Sequence, residues 1–147
     1  MDVAIASDHA GFEQKQELAG FLVGLGHHVA DLGPATDDRV DYPCYAEAVA
    51  RAVASGQAQA GVLVCGTGIG MAIAANKIPG IRAVNIVTPA FAALAREHND
   101  ANVLTVSGRF VDLATNQAIL RTFFETPFGG GRHATRVAKI TALENQH

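Results

Sequence analysis

The chain has 147 residues, 49% of them apolar, and a formal net charge of −3 without any run of basic residues. This size and apolar fraction predict one domain, residues 1–147, with a full hydrophobic core, and the charge argues against a nucleic-acid-binding protein or a basic membrane anchor. No apolar stretch approaches the roughly 18 residues of a spanning helix, the acidic amino terminus is unlike a signal peptide, and two cysteines make no disulfide framework. We therefore expect a cytoplasmic protein.

Short apolar runs alternate with helix-like stretches along the whole chain. Strands are predicted at 3–6, 28–32, 61–64, 82–87 and 103–106, and helices at 12–25, 43–54, 71–77, 89–97, 112–124 and from about 133 to 144. Strands that alternate with helices form a parallel sheet that is covered on both faces. The pattern predicts a three-layer α/β/α, Rossmann-like (flavodoxin-like) domain with a five-stranded parallel sheet, strand order 2-1-3-4-5, and a C-terminal helix.

A glycine-rich loop, Cys65-Gly66-Thr67-Gly68-Ile69-Gly70, joins the third strand to the third helix. Its glycines leave backbone N–H groups uncovered, and the following helix adds unpaired N–H groups and the positive end of its dipole. Such a loop suits a phosphate or a developing oxyanion. A thiol beside a helix N-terminus can act as a base or nucleophile, although an inert buried thiol is an equally good interpretation of this stretch alone.

Asp8 and His9 follow the first strand directly. Asp8 is also a good residue for capping the next helix, and His9 could be a plain surface histidine. Ligands of open α/β sheets bind at the carboxyl ends of the strands. If the first and third strands are neighbours, Asp8-His9 and the cysteine loop face each other, and this favours a functional role.

His98 lies after a helix and before a strand, within a polar loop predicted at 98–102. That position is at the amino edge of the sheet, the wrong edge for meeting Cys65. His98 is therefore either structural or part of a site that two subunits share. We expect the second, with His98 and Asn99 reaching into the cleft of a partner.

Arg132 and Arg136 are four residues apart at the start of the last helix and share one of its faces. Three glycines, 129–131, precede them, and Arg109 is a third candidate for the same cluster. Guanidinium groups near a helix N-terminus form a phosphate clamp, whereas a solvated basic face is the simpler alternative. The histidines lack the spacing of a zinc set, so neither a metal nor a cofactor is expected.

The chain resembles the type B ribose-5-phosphate isomerases, part of the RpiB/LacA/LacB family of sugar-phosphate isomerases. The matching segments are Ala6-Ser7-Asp8-His9-Ala10-Gly11, Asp41-Tyr42-Pro43, Cys65-Gly66-Thr67-Gly68-Ile69-Gly70, Ala74-Ala75-Asn76-Lys77, Gly80-Ile81-Arg82-Ala83, 98–104, Gly108-Arg109 and Gly130-Gly131-Arg132-His133. They span nearly the whole chain in family order. The resemblance implies interconversion of D-ribose 5-phosphate and D-ribulose 5-phosphate without a metal, by a homodimer or a tetramer built from two dimers, with shared active sites.

The resemblance also implies residue roles. The catalytic set would be Cys65, which moves a proton between C1 and C2 through an enediolate, His98, which opens the furanose ring, Asp8 and Thr67. The substrate-binding set would be His9, Arg109, Arg132 and Arg136 on the phosphate, Gly66, Gly68, Ile69 and Gly70 on the charged oxygen, and Tyr42 and Asn99 on the sugar. Some family members carry the base as a glutamate in the next helix, but 71–74 contains no carboxylate here.

Two alternatives stay open at this point. The same chemistry could act on a tetrose phosphate or on allose or galactose 6-phosphate, or the chain could be a non-catalytic sugar-phosphate-binding subunit. Cys65, His98 and the paired arginines argue against the second alternative. The first depends on the depth of the pocket, which no sequence motif specifies.

Overall fold

Five parallel strands form one sheet, close to the positions of the apolar runs. The computed structural model describes residues 1–145. The strands are β1 (Asp2–Ser7), β2 (His28–Asp31), β3 (Ala60–Cys65), β4 (Ala83–Asn85) and β5 (Val103–Ser107). β1 is buried except at its first residue, and β3 and β5 are buried throughout. Continuous apolar strands of this kind are typical of a parallel sheet with helices on both faces.

Six helices cover the sheet or follow it: α1 (Phe12–Gly24), α2 (Tyr42–Ala54), α3 (Ile69–Ala75), α4 (Pro89–Asn99), α5 (Leu113–Glu125) and α6 (Arg132–Ala142), and a 3-10 turn, Leu143–Asn145, ends the described chain. Prolines stand in the first turns of α2 and α4, where a missing N–H costs nothing. Asp112 caps α5 by accepting the N–H of Thr115 at 2.8 Å. One apolar cluster packs α1, α4 and α5 on one face, and a second packs α2 and α3 on the other.

The strand order is 2-1-3-5-4, which corrects the predicted order 2-1-3-4-5; the three-layer Rossmann-like fold itself is confirmed. β5 lies between β3 and β4 because it is buried throughout, whereas β4 has only three residues, two of them partly exposed, and suits an edge. Crossovers in such sheets are right-handed. Since the step from β4 back to β5 runs in the opposite direction to the step from β3 to β4, α4 packs on the face of α1 and not beside α3.

The C-terminal helix, α6, is attached to the rest of the chain at both ends but contains no buried residue. Near its start, the Gly129 N–H donates to the carbonyl of Glu97 at the end of α4, at 3.0 Å. Beyond its end, Glu144 Oε1 accepts the N–H of Gly80 at 2.8 Å. Ile140 stays 45% exposed, so α6 presents apolar surface that this chain does not cover.

Candidate active site

β1 and β3 are neighbours, and this places Asp8 beside Cys65 at the carboxyl edge of the sheet. The register pairs Ser7 with Val64, so the next residues along the two strands, Asp8 and Cys65, end side by side. The N–H of Asp8 donates to the carbonyl of Val64 at 3.1 Å. The condition under which Asp8-His9 would face the cysteine loop is therefore met.

Cys65 is 6% exposed and closes the apolar cluster between the sheet and the helices α2 and α3. Its sulfur is not surrounded by hydrocarbon alone, because the N–H of Gly68 donates to Sγ at 3.1 Å. The thiol therefore lies at the carboxyl end of a central strand, in contact with the backbone of the glycine loop.

Two glycines of the loop allow contacts that a side chain would prevent. Gly68 has φ +84°, and a Cβ there would overlap the side-chain amide of Asn85. A Cβ on Gly70 would lie 2.6 Å from ring carbons of Tyr42, the first residue of α2. Glycine at 68 lets the loop turn left-handed, and glycine at 70 lets the Tyr42 ring pack against the loop backbone. Tyr42, 39% exposed, therefore borders the loop, and its role in lining the sugar stays a prediction.

The loop amides fall into two groups. The N–H of Ile69 donates to Oγ1 of Thr67 at 3.1 Å, and the N–H of Gly68 is taken by the cysteine sulfur. Within residues 1–145, the N–H groups of Gly66, Thr67, Gly70 and Met71 donate to no protein atom. These four amides remain for an anionic oxygen, whereas the N–H groups of Gly68 and Ile69 are used within the loop.

Sequence reasoning missed the hydroxyl and amide groups that anchor the carbonyl side of the loop. Ser107 Oγ donates to the carbonyl of Gly66 at 2.6 Å, and Thr105 Oγ1 donates to that of Gly68 at 2.7 Å. Asn85, with its amide oriented so that nitrogen donates, reaches the carbonyl of Thr67 at 3.3 Å. The sequence does show polar residues within β4 and β5. Which carbonyl groups they bond depends on which strands lie beside β3, and this is not visible in the sequence.

Asp8 and His9 each use one polar atom on the protein itself. Asp8 Oδ1 accepts the N–H of Gly11 at 3.0 Å, but Gly11 is itself the N-cap of α1 and no side chain caps this helix, so the capping interpretation of Asp8 is wrong. No protein group in the described chain donates to Oδ2. His9 Nδ1 accepts the N–H of Val40 at 3.3 Å. In the neutral ring this bond assigns the proton to Nε2, which can then donate to a ligand.

Arg109 lies at the same edge as Cys65. Its N–H donates to the carbonyl of Gly66 at 3.2 Å, and a Cβ on Gly66 would lie 3.5 Å from its Cδ. Arg132 and Arg136 lie instead on α6, which begins beside the end of α4. Within one chain Arg109 therefore does not join the other two arginines.

His98 and Asn99 are the last two residues of α4, which corrects the loop predicted at 98–102. The His98 ring stacks on that of His133, with centroids 4.4 Å apart. This cluster precedes β5, whereas Cys65 pairs with Ser107 at its far end. The four-residue rise of β5 separates the two edges by about 13 Å, so His98 and Cys65 lie at opposite edges of the sheet.

The cationic cluster at the start of α6 perturbs His133. Partial burial, followed by the nearby His98, Arg132 and Arg136, lowers the pKa of His133 below its ordinary value, and Glu97 opposes this shift. The ring is therefore biased towards its neutral form. The exposed arginines beside this neutral ring make the start of α6 suited to an anionic ligand.

The described residues contain no group of three or more His, Cys, Asp or Glu side chains placed to hold a metal. A cleft of about 740 Å³ opens at the amino edge, where Arg82, Arg96 and Phe123 line it. Both guanidinium groups are bonded to Asp100. This cleft is remote from Cys65 and is not the site that the loop forms.

A thiol in an amide-lined loop, at the carboxyl edge of a Rossmann-like sheet, defines an α/β protein with a site for a small anionic ligand. The sequence pattern of the family described as Ribose/Galactose Isomerase matches residues 3–140. The chain belongs to this family.

Relatives of known sequence and relatives of known structure match nearly the whole chain. It is 46% identical to ribose-5-phosphate isomerase B of Escherichia coli over 144 residues, covering 98% of this chain and 97% of the relative. The structure of Clostridium thermocellum ribose-5-phosphate isomerase B aligns with a TM-score of 0.98 at 46% identity, covering 99% of each chain. That of the Mycoplasma genitalium enzyme with bound ribulose-5-phosphate aligns with a TM-score of 0.95 at 41% identity, covering 99% of this chain and 97% of the other.

Proposed function

We propose that this chain is an aldose–ketose isomerase that interconverts D-ribose 5-phosphate and D-ribulose 5-phosphate. The observation that carries the proposal is the position of Cys65, at the carboxyl end of β3 with its sulfur in the glycine loop. The near-complete match to relatives named ribose-5-phosphate isomerase B supports the substrate. The Mycoplasma genitalium relative, with ribulose-5-phosphate bound, supports a pentose phosphate in this fold.

Cys65 acts as the base in the proposed mechanism. Its thiolate removes the proton from C2 of the open-chain aldose, and the electron pair forms the C1–C2 double bond while the carbonyl oxygen on C1 becomes anionic. The thiol then returns the proton to C1, and the hydroxyl proton on O2 passes to O1, which leaves a ketone at C2. A positioned base of this kind contributes about 10²- to 10⁴-fold to the rate.

The glycine loop stabilises the enediolate. The four unpaired N–H groups of the loop point the positive ends of their dipoles at the developing oxyanion. The Thr67 hydroxyl, Asp8 and Tyr42 hold sugar hydroxyls beside them. Loss of a single such donor costs about 3 kcal/mol of transition-state stabilisation in other enzymes.

The phosphate lies between two surfaces, the glycine-loop edge of one subunit and the start of α6 of the other. His9, through Nε2, and Arg109 approach it from the glycine-loop edge of one subunit. Arg132 and Arg136 of the partner subunit approach it from α6, and its His98 opens the furanose ring with Asn99 beside it. Charge-assisted bonds to phosphate hold the reacting carbons against the thiolate.

A homodimer, alone or paired into a tetramer, completes the site. Cys65 and His98 lie at opposite edges of the same sheet, so one chain supplies two different halves. Exposed apolar side chains support a partner: Ile140 and Leu143 at the end of α6, and Phe91 and Phe110 beside the sheet. Apolar surface of this kind is typical of an interface with a second chain.

A cytoplasmic location is part of the proposal. No helix in residues 1–145 has the length and apolar character needed to cross a membrane. Cys44 is exposed and unpaired, and Cys65 is unpaired as well. A catalytic thiol and an exposed cysteine suit a reducing compartment.

The proposal is tested with the purified protein and three substrates: D-erythrose 4-phosphate, D-ribose 5-phosphate and D-allose 6-phosphate. We expect the highest kcat/KM with the pentose phosphate and inhibition by inorganic phosphate. Greater activity with the tetrose or hexose phosphate would reassign the substrate. Phosphate binding without turnover of any of the three sugars would overturn the catalytic role.

A further inference from the structure

Two amide side chains lie behind the loop that carries Arg109, on the face of the sheet covered by α1 and α5. Asn116 of α5 is fully buried, and Gln14 of α1 is partly buried. The Asn116 Nδ2 donates to Oε1 of Gln14 at 2.7 Å and to the carbonyl of Ser107 at 2.8 Å. The two side chains thus form one hydrogen-bonded unit between helices that are about a hundred residues apart in sequence.

Gln14 extends this unit along the turn that follows β5. Its Nε2 donates to the carbonyl of Gly108 at 3.2 Å and to that of Val111 at 2.8 Å. Together the two amides hold the carbonyls on both sides of Arg109. All four hydrogens of the two NH₂ groups have acceptors, which fixes the orientation of each amide.

The other side of the same turn is bonded to the cysteine loop. The N–H of Gly108 donates to the carbonyl of Cys65 at 2.8 Å, and that of Arg109 donates to the carbonyl of Gly66 at 3.2 Å. The turn 107–111 is therefore a bridge with the amide pair behind it and the glycine loop in front. Arg109 is at its exposed tip.

We propose that Gln14 and Asn116 are positioning residues, which hold Arg109 and the Cys65–Gly66 backbone in the geometry that binds the substrate phosphate. The inference deepens the proposed function and rests on it. Oδ1 of Asn116 is buried without a hydrogen-bond partner, an unfavourable feature that the two bonds from Nδ2 offset. Leucine would fill the same space but would leave the carbonyl of Ser107 without this donor.

The test uses Gln14→Met and Asn116→Leu, with Ile119→Val as the matched control. Ile119 is fully buried on the same helix as Asn116, and no hydrogen bond joins it to the turn. The first readout is hydrogen exchange at the Gly108 and Arg109 amides. We expect about tenfold faster exchange in the two amide variants, because the free energy of the lost hydrogen bonds corresponds to about a tenfold change in the opening equilibrium of the turn. In the control we expect no change beyond the effect of its lower global stability.

The second readout is kinetic. Gln14→Met should raise the KM for D-ribose 5-phosphate and the inhibition constant of inorganic phosphate by about tenfold, with kcat changed less than KM. In the background of Arg109→Ala, Gln14→Met should have little further effect on the KM or on the inhibition constant of phosphate. The reason is that both substitutions remove the same contact between Arg109 and the phosphate. A generally loosened fold would instead lower kcat in both backgrounds.

Three outcomes would overturn the inference: exchange at Gly108 and Arg109 no faster than in Ile119→Val, an unchanged KM in Gln14→Met, or fully additive effects with Arg109→Ala. Gln14→Met keeps the test decisive if Asn116→Leu does not fold, because Gln14 is only partly buried. If the wild-type protein isomerised no sugar phosphate, the proposed function would fail. Hydrogen exchange and phosphate binding would still decide whether the pair positions the turn.

Discussion

The imidazole rings of His98 and His133 stack with their centroids 4.4 Å apart and their planes 14° from parallel. His98 lies in the last turn of α4 and His133 in the first turn of α6, so the stack fastens one helix to the other. It places Arg132 and Arg136 beside His98, at the sheet edge opposite Cys65. The proposed phosphate clamp and the proposed ring-opening acid therefore form one unit, which a partner subunit can receive as a whole.

Replacing the base should abolish turnover without unfolding the chain. Cys65→Ala removes one sulfur atom from the edge of an apolar cluster, so we expect a folded protein with kcat reduced about 10³-fold. Cys44→Ala, at the exposed cysteine on α2, is the control and should keep full activity. Near-normal isomerisation by Cys65→Ala would rule out the proposed base.

Arg136→Ala should weaken substrate binding. Loss of a charge-assisted bond to phosphate predicts about a tenfold higher KM for D-ribose 5-phosphate. Lys139→Ala, one turn further along α6 and equally exposed, is the control for general charge and should leave KM unchanged. The clamp hypothesis fails if the two variants are indistinguishable, or if inorganic phosphate inhibits Arg136→Ala as strongly as the wild type.

A mixture of two inactive variants should regain activity if the sites are shared. Cys65→Ala and His98→Asn, unfolded together and refolded in equal amounts, should form mixed dimers in which one of the two sites has both residues. Random pairing then predicts about a quarter of wild-type activity. No recovery, with mixed dimers demonstrated by mass spectrometry, would mean that each chain contains a complete site.

The buried lysine predicts an asymmetry in stability. Lys15 is 1% exposed, and its Nζ contacts both carboxylate oxygens of Asp31 at 2.9 Å and the carbonyl of Pro34 at 2.7 Å. Asp31→Ala leaves a buried ammonium without its counter-charge, so we expect a loss of about 3 kcal/mol. Lys15→Met leaves a carboxylate that is already 38% exposed and should cost about 1 kcal/mol.

Urea unfolding at pH 7 measures both free energies of unfolding. A matched substitution, Glu47→Ala, breaks the exposed ion pair with Arg51 and should cost less than either. An equal or larger loss in Lys15→Met than in Asp31→Ala would contradict the assignment of the penalty to an unpaired buried charge.

Stability should fall as the pH drops from 7 to 5, with a contribution from His133. The pKa of His133 is lowered in the folded state by partial burial, His98 and the neighbouring arginines. Below about pH 6.5 the unfolded chain therefore binds more protons than the folded chain does. This difference in bound protons lowers the free energy of unfolding as the pH falls. His133→Gln should reduce this pH dependence, measured by urea midpoints at several pH values. An identical dependence in the variant would contradict the perturbation.

Local patterns were sufficient for much of the fold and for one half of the site. The apolar runs of β1 and β3 and the loop after Cys65 are contiguous in sequence, and parallel strands bring their carboxyl ends to one edge whatever the order of the outer strands. Asp8 and Cys65 could therefore be placed at the same edge from the chain alone, and the adjacency of β1 and β3 then brings them side by side. That residues 1–147 form one domain stays a prediction, and 146–147 lie outside the described residues.

Other relationships depend on contacts between segments far apart in sequence. The exchange of β4 and β5 follows from which strand is buried on both sides, and local periodicity does not report the direction of a crossover. The same exchange brings Ser107 and Thr105 to the carbonyls of the cysteine loop. The docking of α6 beside the end of α4 separates Arg132 from Arg109. Residue types and their spacing thus specified the chemistry that the chain can perform, and packing of the sheet specified which of those residues share an edge.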